Sequence, residues 1–385
     1  MTVFGTRPEA IKMAPVLRLL ELEPSLDSVV CVTGQHREML DQVLALFAIK
    51  PDFDLDIMRK GQSLDRLTAD LVCAIGFVIE QVNPDMVLVH GDTATTFAGA
   101  LSAYYRRVPV GHVEAGLRTG NKYSPWPEEM NRKLTGAIST YHFAPTESAR
   151  LNLLAEGVGE QSILVTGNTV IDALLSMREA ATQDVAARSL IQTLDSEKRL
   201  ILVTGHRRES FGKGFEMLCQ ALLTLASRDD VEIVYPVHLN PNVREPVHRI
   251  IANVQNIHLL EPLEYLPFIA LMERSHIILT DSGGIQEEAP SLGKPVLVTR
   301  ETTERPEAVT AGTVKLVGTD PEAIITAVNM LLDNESAYKK MAKAHNPYGD
   351  GKAAQRIIAK LKGIEIESRP NNGGDAHEHH EAVIL

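Results

Sequence analysis

The stretch Ile277–Pro290, IILTDSGGIQEEAP, decides how the C-terminal half of this chain folds. Its first residues are apolar without a break, which indicates a buried parallel strand, and the pattern becomes helical after Gly283 and Gly284. A glycine turn before a helix offers free backbone N–H groups and the positive end of the helix dipole to an anion. We therefore predict that Ser282, Gly283 and Gly284 bind a phosphate and that Glu288 accepts hydrogen bonds from a ribose. Taken alone, the glycines are equally consistent with close packing of strand and helix.

A second anion-binding segment, GTRPEAIK, occupies Gly5–Lys12 near the start of the chain. It follows the short run TVF, which is typical of a strand, and its proline and glutamate suit the first turn of a helix. Arg7 and Lys12 place two cations beside the glycine turn, and an arginine can hold a diphosphate through two hydrogen bonds. An alternative is that Arg7 lies on the surface and forms an ion pair with Glu9.

Strand-like and helix-like segments alternate along almost the whole chain, with helical patterns such as Leu64–Gln81 and Phe215–Ala226 between the strands. This alternation predicts the α/β class, with parallel sheets, helices on both faces and two Rossmann-like domains that face a cleft. The predicted strands are Val29–Thr33, Met86–His90, Val108–Val113, Ile163–Thr166, Leu200–Thr204, Glu232–Val237, Ile257–Leu260, Ile277–Thr280, Pro295–Val298 and Val314–Val317.

With 385 residues, the chain is too long for one ordinary core, so two domains are expected. The stretch Met177–Lys198 is polar, alanine-rich and helical, and a new strand follows it. We therefore place the N-terminal domain in residues 1–176 and the C-terminal domain in residues 199–349. The polar tail 364–385 is predicted to be a disordered end, although its histidines could chelate a metal by chance.

The net charge of −12 and the isoelectric point near 5.6 argue against nucleic acid or an anionic membrane as a partner. An anionic substrate therefore requires a local basic pocket. Cys31, Cys73 and Cys219 lie in apolar runs and share no metal-binding spacing, which favours a reducing compartment. The sequence has neither an apolar run long enough to span a bilayer nor a signal-peptide pattern at its start, so we expect a cytoplasmic protein.

Polar side chains follow the ends of several predicted strands, where the ligand sites of such sheets lie. Each has a plain alternative, because Asp92 or Glu114 could cap a helix and Glu128 could pair with Arg132 one turn later. Together they predict a catalytic cleft for acid–base chemistry on a nucleotide-activated small molecule. No dinucleotide, nucleoside-triphosphate or metal motif is present, so neither a redox cofactor nor a metal is expected. The predicted cleft residues are His90, Asp92, His112, Glu114, Arg118, Glu128, Arg132, His206, His238 and Arg244.

A set of motifs resembles, in order, those of the bacterial non-hydrolysing UDP-N-acetylglucosamine 2-epimerases, from the first residues to about Gly363. The motifs are GTRPEAIKMAPV, TGQHREMLDQVL, VHGDTATT, GHVEAGLRTG, YSPWPEEMNR, VTGNTVIDAL, VTGHRRESFGKG, YPVHLNPNVREPV, TDSGGIQEEAPSLGKPVLV and TTERPEAVTAGT. The chain is most similar to the enterobacterial type, which makes UDP-N-acetylmannosamine for surface polysaccharides. The resemblance implies the GT-B fold, a last helix at 350–363 that crosses back to the N-terminal domain, a homodimer, and no metal or nicotinamide cofactor.

The reaction that this resemblance implies has two steps. The C2 proton is removed and UDP is expelled by anti elimination, which leaves 2-acetamidoglucal, and UDP then adds back while a proton reaches the other face of C2. More than one carboxylate is required, and Asp92, Glu114 and Glu128 match the family's catalytic acids without a ranking among them. His206 would stabilise the departing UDP. Clustered carboxylates are expected to raise each other's pKa.

The ligand contacts are also implied by the resemblance. The matching positions are Arg7, Ser282, Gly283 and Gly284 for the phosphates, Glu288 for the ribose, Phe268 for the uracil, and Lys12, Arg132 and His238 for further cleft contacts. Some relatives are activated by a second substrate molecule near the GQHRE segment, and Gln35 and His36 are present here. Glu38 and Gly61 stand where some Gram-positive relatives carry Gln and Arg, which is expected to weaken that site.

Two other activities remain open at this point. Hydrolysing 2-epimerases release free N-acetylmannosamine and UDP, but they usually carry an alanine-aspartate pair where this chain has Pro8 and Glu9. A GT-B glycosyltransferase would share the fold and the ribose-binding acid, but it would leave Asp92, Glu114 and Glu128 without a role. A nucleotide-sugar sensor without activity would not need three acids in the cleft either.

Overall fold

The computed structural model describes residues 1–34, 37–59 and 61–363 and contains two parallel sheets. The first sheet has seven strands in the order β3-β2-β1-β4-β5-β6-β7. Its strands are β1 (Thr2–Phe4), β2 (Val30–Val32), β3 (Phe53–Asp54), β4 (Val87–His90), β5 (Val110–Val113), β6 (Tyr141–Ala144) and β7 (Ile163–Val165).

The second sheet has six strands in the order β10-β9-β8-β11-β12-β13. Its strands are β8 (Arg199–Thr204), β9 (Val231–Pro236), β10 (Ile257–Leu260), β11 (Ile277–Thr280), β12 (Val296–Val298) and β13 (Val314–Leu316). In both sheets the chain begins at a central strand, moves to one edge and then returns to build the other side. Ligands of such sheets bind at the carboxyl ends of the central strands, where the order reverses.

Helices connect the strands, and many begin at a Thr, Ser, Asn or Asp whose side chain accepts a backbone N–H. In the N-terminal half they are α1 (Arg7–Leu22), α2 (Arg37–Leu46), α3 (Leu64–Val82), α4 (Ala94–Tyr105), α5 (Glu128–Ile138), α6 (Glu147–Ala155), α7 (Thr169–Gln183) and α8 (Val185–Gln192). In the C-terminal half they are α9 (Lys213–Leu225), α10 (Pro241–Ile251), α11 (Tyr265–Arg274), α12 (Gly283–Glu288), α13 (Pro306–Thr310), α14 (Pro321–Asp333), α15 (Glu335–Ala342) and α16 (Ala353–Leu361). None of the helices in the described ranges is long and apolar enough to cross a membrane.

The predicted fold class is confirmed, but the sequence interpretation missed two strands. Strand β3 is two residues long and lies at the edge of the first sheet, so it carries almost no apolar pattern. Strand β6 contains His142, whose buried ring pairs with the carbonyl oxygen of Gly136 at 2.9 Å. A polar residue in the middle of this inner strand interrupts the apolar pattern by which a buried strand is recognised.

Helix α16 packs against α1 and α7, beside the first sheet. Ala354, Ile357 and Ile358 belong to the same hydrophobic cluster as the apolar face of α1. No residue of its own caps this helix, and Asp172 of α7 accepts the backbone N–H groups of Ala353 at 3.2 Å and Ala354 at 2.9 Å. The end of the described chain is therefore held by a helix from the N-terminal half.

Candidate functional site

A cleft of about 520 Å³ lies at the carboxyl ends of the central strands of both sheets. It is large enough for a small-molecule ligand. Most of the ligand-binding residues predicted from the sequence line it, although they are far apart along the chain. These residues are Arg7, Lys12, His206, His238, Phe268, Ser282, Gly284 and Glu288.

The Ser-Gly-Gly turn is open on its cleft side. A Cβ atom built on Gly284 would lie 3.5 Å from Glu288 Oε1, and one on Gly283 would lie 3.7 Å from Arg305 Nη2, both ordinary contact distances. Neither glycine has a positive φ, so neither backbone packing nor conformation requires glycine here. This observation argues against the packing interpretation and favours close approach of a ligand to the backbone.

Glu288 lies in the last turn of α12 and lines the cleft. Burial and the negative charge of Glu287 raise its pKa to about 8. The charges of Lys12 and Arg7 oppose this increase but do not offset it, so the carboxyl group favours its protonated form at neutral pH.

His206 is held in place by an acid that the sequence interpretation did not single out. Asp281 follows strand β11 and accepts the backbone N–H groups of His206 and Arg207, each at 2.8 Å. The His206 ring nitrogen Nδ1 lies 3.1 Å from Asp281 Oδ1, and the ring stacks on His238 at a centroid distance of 5.9 Å. Two histidines thus stand together on the cleft wall near the Ser-Gly-Gly turn.

Glu114 directly follows strand β5 and is largely shielded from solvent beside Lys12 and the buried Asn168. Lys12 forms an ion pair with it, and Asn168 Nδ2 donates to its Oε2 at 2.8 Å. Glu114 has φ +62°, a conformation that costs a residue other than glycine about 1–3 kcal/mol. Such outliers persist where surrounding contacts fix them, and they cluster at active sites.

Asp92 also follows the end of a central strand, but it does not cap helix α4. Thr93 provides that cap through its side chain, and Asp92 forms an ion pair with Arg132. Arg132 Nη1 additionally lies 3.5 Å from Glu129, so among the described residues Arg132 pairs with Asp92 and Glu129 and not with Glu128. Glu128 begins helix α5, as expected from the sequence, and its charge acts on Asp92.

The expected mutual rise of the carboxylate pKa values is correct for Asp92 and wrong for Glu114. Burial raises the pKa of Asp92, and the charges of Glu114 and Glu128 add to this while Arg132 opposes it. Burial would raise the pKa of Glu114 too, but the charge and hydrogen bond of Lys12 lower it below its usual value. The difference arises because Lys12, 102 residues away in sequence, contacts Glu114 directly.

Lys12, expected as a further cleft contact, lines the cleft and is also held by two acids. Its Nζ binds Glu114 and lies 3.8 Å from Glu287 Oε2, so the lysine is part of a buried charge cluster. Although burial lowers the pKa of Lys12, the two glutamates raise it above the usual value, and the lysine stays charged. Asp92, Glu114, Glu128 and Arg132 are not among the residues that line the cleft itself.

Glu9 was predicted at the start of helix α1, where it is found, but its wider role was missed. Its Oε2 accepts the backbone N–H groups of Gly5 at 3.1 Å and Thr6 at 2.8 Å, and its Oε1 accepts the Thr93 hydroxyl at 2.7 Å. The ion pair between Arg7 and Glu9, which was the alternative considered from the sequence, is not found among the described residues. Glu9 instead ties the loop before α1 to the loop that carries Asp92.

Gln35 and His36 lie outside the described residues. Gly61 has φ +76° and no atom within 4 Å of a built Cβ, so a side chain there would meet backbone strain rather than a clash. Within the described residues, no group of three or more His, Cys, Asp or Glu side chains is arranged to hold a metal ion.

Known proteins of similar sequence and structure identify the family. The sequence profile of the UDP-N-acetylglucosamine 2-epimerase family matches residues 18–362. UDP-N-acetylglucosamine 2-epimerases of Escherichia coli K12 and Yersinia pestis are 59% and 60% identical, over 95% of this chain and 99% of each relative. The crystal structure of the Neisseria meningitidis enzyme bound to UDP-GlcNAc is 54% identical and superposes with a TM-score of 0.86, over 94% of this chain and 99% of that one. The chain belongs to the UDP-N-acetylglucosamine 2-epimerase family.

Proposed function

We propose that this protein interconverts UDP-N-acetylglucosamine and UDP-N-acetylmannosamine without net hydrolysis. The observation that carries the proposal is the cleft. The open Ser-Gly-Gly turn and Glu288, which follow a strand of the second sheet, line it together with Arg7, which follows a strand of the first sheet. The UDP-GlcNAc complex of the Neisseria meningitidis relative supports the same ligand here. The product would supply the synthesis of bacterial surface polysaccharide, and UDP-GlcNAc and UDP are the ligands of the cleft.

The proposed reaction is an anti elimination followed by a re-addition. A carboxylate takes the C2 proton, the C1–O bond breaks with its electron pair on the β-phosphate oxygen, and a C1–C2 double bond forms in 2-acetamidoglucal. UDP then attacks C1 again while an acid gives a proton to the opposite face of C2. No net redox change or water addition occurs, so these steps require no redox cofactor.

The side chains divide these tasks among themselves. Asp92, Glu114 and Glu128 are proposed to move the protons at C2, and the opposite directions of the Asp92 and Glu114 pKa shifts support unequal roles. His206, oriented by Asp281, would stabilise the charge on the departing UDP.

The nucleotide contacts complete the proposed site. Arg7 and the Ser282–Gly284 turn would hold the diphosphate, Glu288 the ribose and Phe268 the uracil, because all of them except Gly283 border the same cleft. Arg132 would act from behind Asp92 rather than on the ligand, as its ion pair indicates. His238, which stacks on His206, would border the diphosphate.

The domain division and assembly are part of the proposal. We infer an N-terminal domain in residues 1–176 completed by the helix within 350–363, and a C-terminal domain in 199–349, since each range contains one sheet. A homodimer is supported by exposed aromatic side chains on the adjacent helices α3 and α4, namely Phe77, Tyr104 and Tyr105. A nucleotide-sugar substrate agrees with the expected cytoplasmic location.

The first expected result is incorporation of solvent deuterium. Purified protein incubated in deuterated water with UDP-GlcNAc alone should form UDP-N-acetylmannosamine that carries deuterium at C2, because the proton passes through a carboxylate. Proton NMR measures both the new sugar and the loss of the C2 signal. Free N-acetylmannosamine plus UDP would establish hydrolysis instead, and an unchanged substrate would indicate transfer or sensing. Product that retains its original C2 hydrogen would exclude the proposed mechanism.

The second expected result concerns the nucleotide contacts. Gly284→Val leaves the fold intact, since the built Cβ meets only ordinary contacts, but its branched side chain fills the space that a phosphate needs. Glu288→Ala removes a hydrogen bond to the ribose, which costs on the order of 1.5–3 kcal/mol, or about 10–150-fold in UDP affinity. Isothermal titration calorimetry with UDP measures both losses, and unchanged affinity in both variants would refute the assignment.

The same titration has a pH dependence with a definite sign. Glu288 has a pKa of about 8 in the free protein, and ribose hydroxyls favour its ionised form. UDP binding should therefore release a proton near pH 7, and affinity should rise as the pH approaches 8. Titrations in two buffers of different ionisation enthalpy measure this proton, and Glu288→Gln is the control in which it disappears.

A further inference from the structure

Two acids and two bases form a largely buried charge cluster beside the cleft. Lys12 comes from α1, Glu114 from the end of β5, Glu287 from α12 and Arg305 from the residue before α13. The formal charges of these four side chains cancel. Asn168, at the start of α7, bridges the two acids.

Glu287 contacts both basic residues of the cluster and Asn168. Its side chain is only 1% exposed, and its Oε1 accepts the Nε–H of Arg305 at 2.5 Å. Its Oε2 accepts from Asn168 Nδ2 at 3.2 Å and lies 3.8 Å from Lys12 Nζ. The same amide group of Asn168 donates to Glu114 at 2.8 Å, so one side chain separates the two glutamates.

We propose that Glu287 is a positioning residue for proton transfer by Glu114. Glu287 pairs with Arg305 and also lies near Lys12. Glu114 is therefore closely bound by one cation, Lys12, rather than by both Lys12 and Arg305. A carboxylate held by two cations is a weaker base. Glu287 thereby keeps Glu114 basic enough to take the C2 proton, while Lys12 and Asn168 fix its direction. This inference rests on the proposed function and deepens it.

The other groups that face Glu114 do not replace this effect. His90, at the end of β4, lies with its Nε2 3.8 Å from Glu114 Oε2, and burial lowers its pKa to about 4, so the ring is neutral near pH 7. Asp92 adds a negative charge, but it is paired with Arg132. Arg305 is close enough to act on Glu114, and Glu287 is its direct partner.

The next residue in the sequence supplies a matched control. Glu288 neighbours Glu287, lines the same cleft and is proposed to bind the ribose, whereas Glu287 makes its contacts with the charge cluster. Glu287→Gln and Glu288→Gln therefore make the same chemical change on the same short helix. The first should affect kcat, and the second should affect UDP affinity and KM.

The experiment measures kcat, KM and UDP affinity of the full-length variants by a continuous UDP-N-acetylmannosamine assay and calorimetry. Glu287→Gln should lower kcat by about 10²-fold, the usual size of a general-base effect, and change KM and the UDP Kd by less than about threefold. With C2-deuterated substrate it should turn over more slowly than with ordinary substrate, because proton removal has become limiting. Glu287→Asp, which keeps the charge, should recover most of kcat.

Several results would overturn the inference. They are an unchanged kcat in Glu287→Gln, a lower kcat with no isotope effect at C2, or a Glu287→Asp variant as slow as Glu287→Gln. If Glu287→Gln does not fold, as judged by circular dichroism, Glu287→Asp decides: the part of kcat that it loses should be accompanied by a larger C2 isotope effect than in the wild type, and a loss without that increase would contradict us. The wild-type protein distinguishes failure of the proposed function from failure of this inference. If it places no solvent deuterium at C2, the proposed function fails. If it does, the variants test only the role of Glu287.

Discussion

Asp92→Asn, Glu114→Gln and Glu128→Gln are each expected to lower turnover by roughly 10²–10⁴-fold, the range for a lost general acid or base. The reason is that each amide keeps the shape of the side chain but can neither take nor give the C2 proton. UDP affinity should remain close to that of the wild type, because we propose that the Ser-Gly-Gly turn and Glu288 hold the nucleotide. Initial-rate measurements and UDP calorimetry on the same preparations test both statements.

A matched control for these variants is Glu129→Gln. Glu129 is the buried neighbour of Glu128 and accepts backbone N–H groups of Thr119 and Gly120, so its replacement should affect stability more than chemistry. If all three acid variants kept nearly normal turnover, the assignment of the proton-transfer residues would be wrong. If only one kept it, that residue would be reassigned to a supporting role.

Lys12→Met is the second change with a large expected effect. It leaves Glu114 buried without its cation, and breaking a buried ion pair from one side costs about 3–5 kcal/mol. Burial, then opposed mainly by the more distant charge of Arg305, should raise the pKa of Glu114 above its usual value, whereas in the wild type it lies below. We expect turnover to fall by roughly 10²-fold. As the pH is lowered, the remaining activity should disappear at a higher pH than in the wild type, because the base becomes protonated earlier.

The sign of the stability change distinguishes this explanation from a general loss of packing. In the wild type, Glu114 has a lowered pKa, so its contribution to stability is present above the unfolded pKa and is lost as the pH falls through the folded one. In Lys12→Met the raised pKa reverses this, and the deficit grows as the pH rises. Thermal unfolding at pH 5 and pH 8 measures the difference. A deficit of equal size at both pH values would contradict the role of Lys12.

Much of the fold could be predicted from the sequence because its signals are local. Ile277–Leu279 is apolar throughout and two glycines follow a few residues later, so the strand, the turn and the next helix are encoded within a short stretch. The missed strands show the limit of this reasoning. Strand β6 contains a buried histidine whose partner is a backbone carbonyl on the preceding helix, and local pattern cannot reveal such a partner.

The site could be predicted as a set of residues but not as a set of contacts. Lys12 was predicted as a further cleft contact, but its partners Glu114 and Glu287 come from two other segments and could not be read from the local sequence. The sequence assigned the ribose contact to Glu288 and gave no role to the adjacent Glu287. Which acid faces the ligand and which faces the cluster depends on how α12 is rotated, and that follows only from packing.

The capping of α16 by Asp172 has a consequence for how the protein is made. Residues near the end of the chain complete the hydrophobic core that the first residues begin, because Ile357 and Phe4 share one cluster. A ribosome must therefore deliver almost the entire polypeptide before the N-terminal half can finish folding, although that half is synthesised first. Fragments cut between the two sheets would lack a piece of their own core, so the halves should not be separable as independently stable proteins.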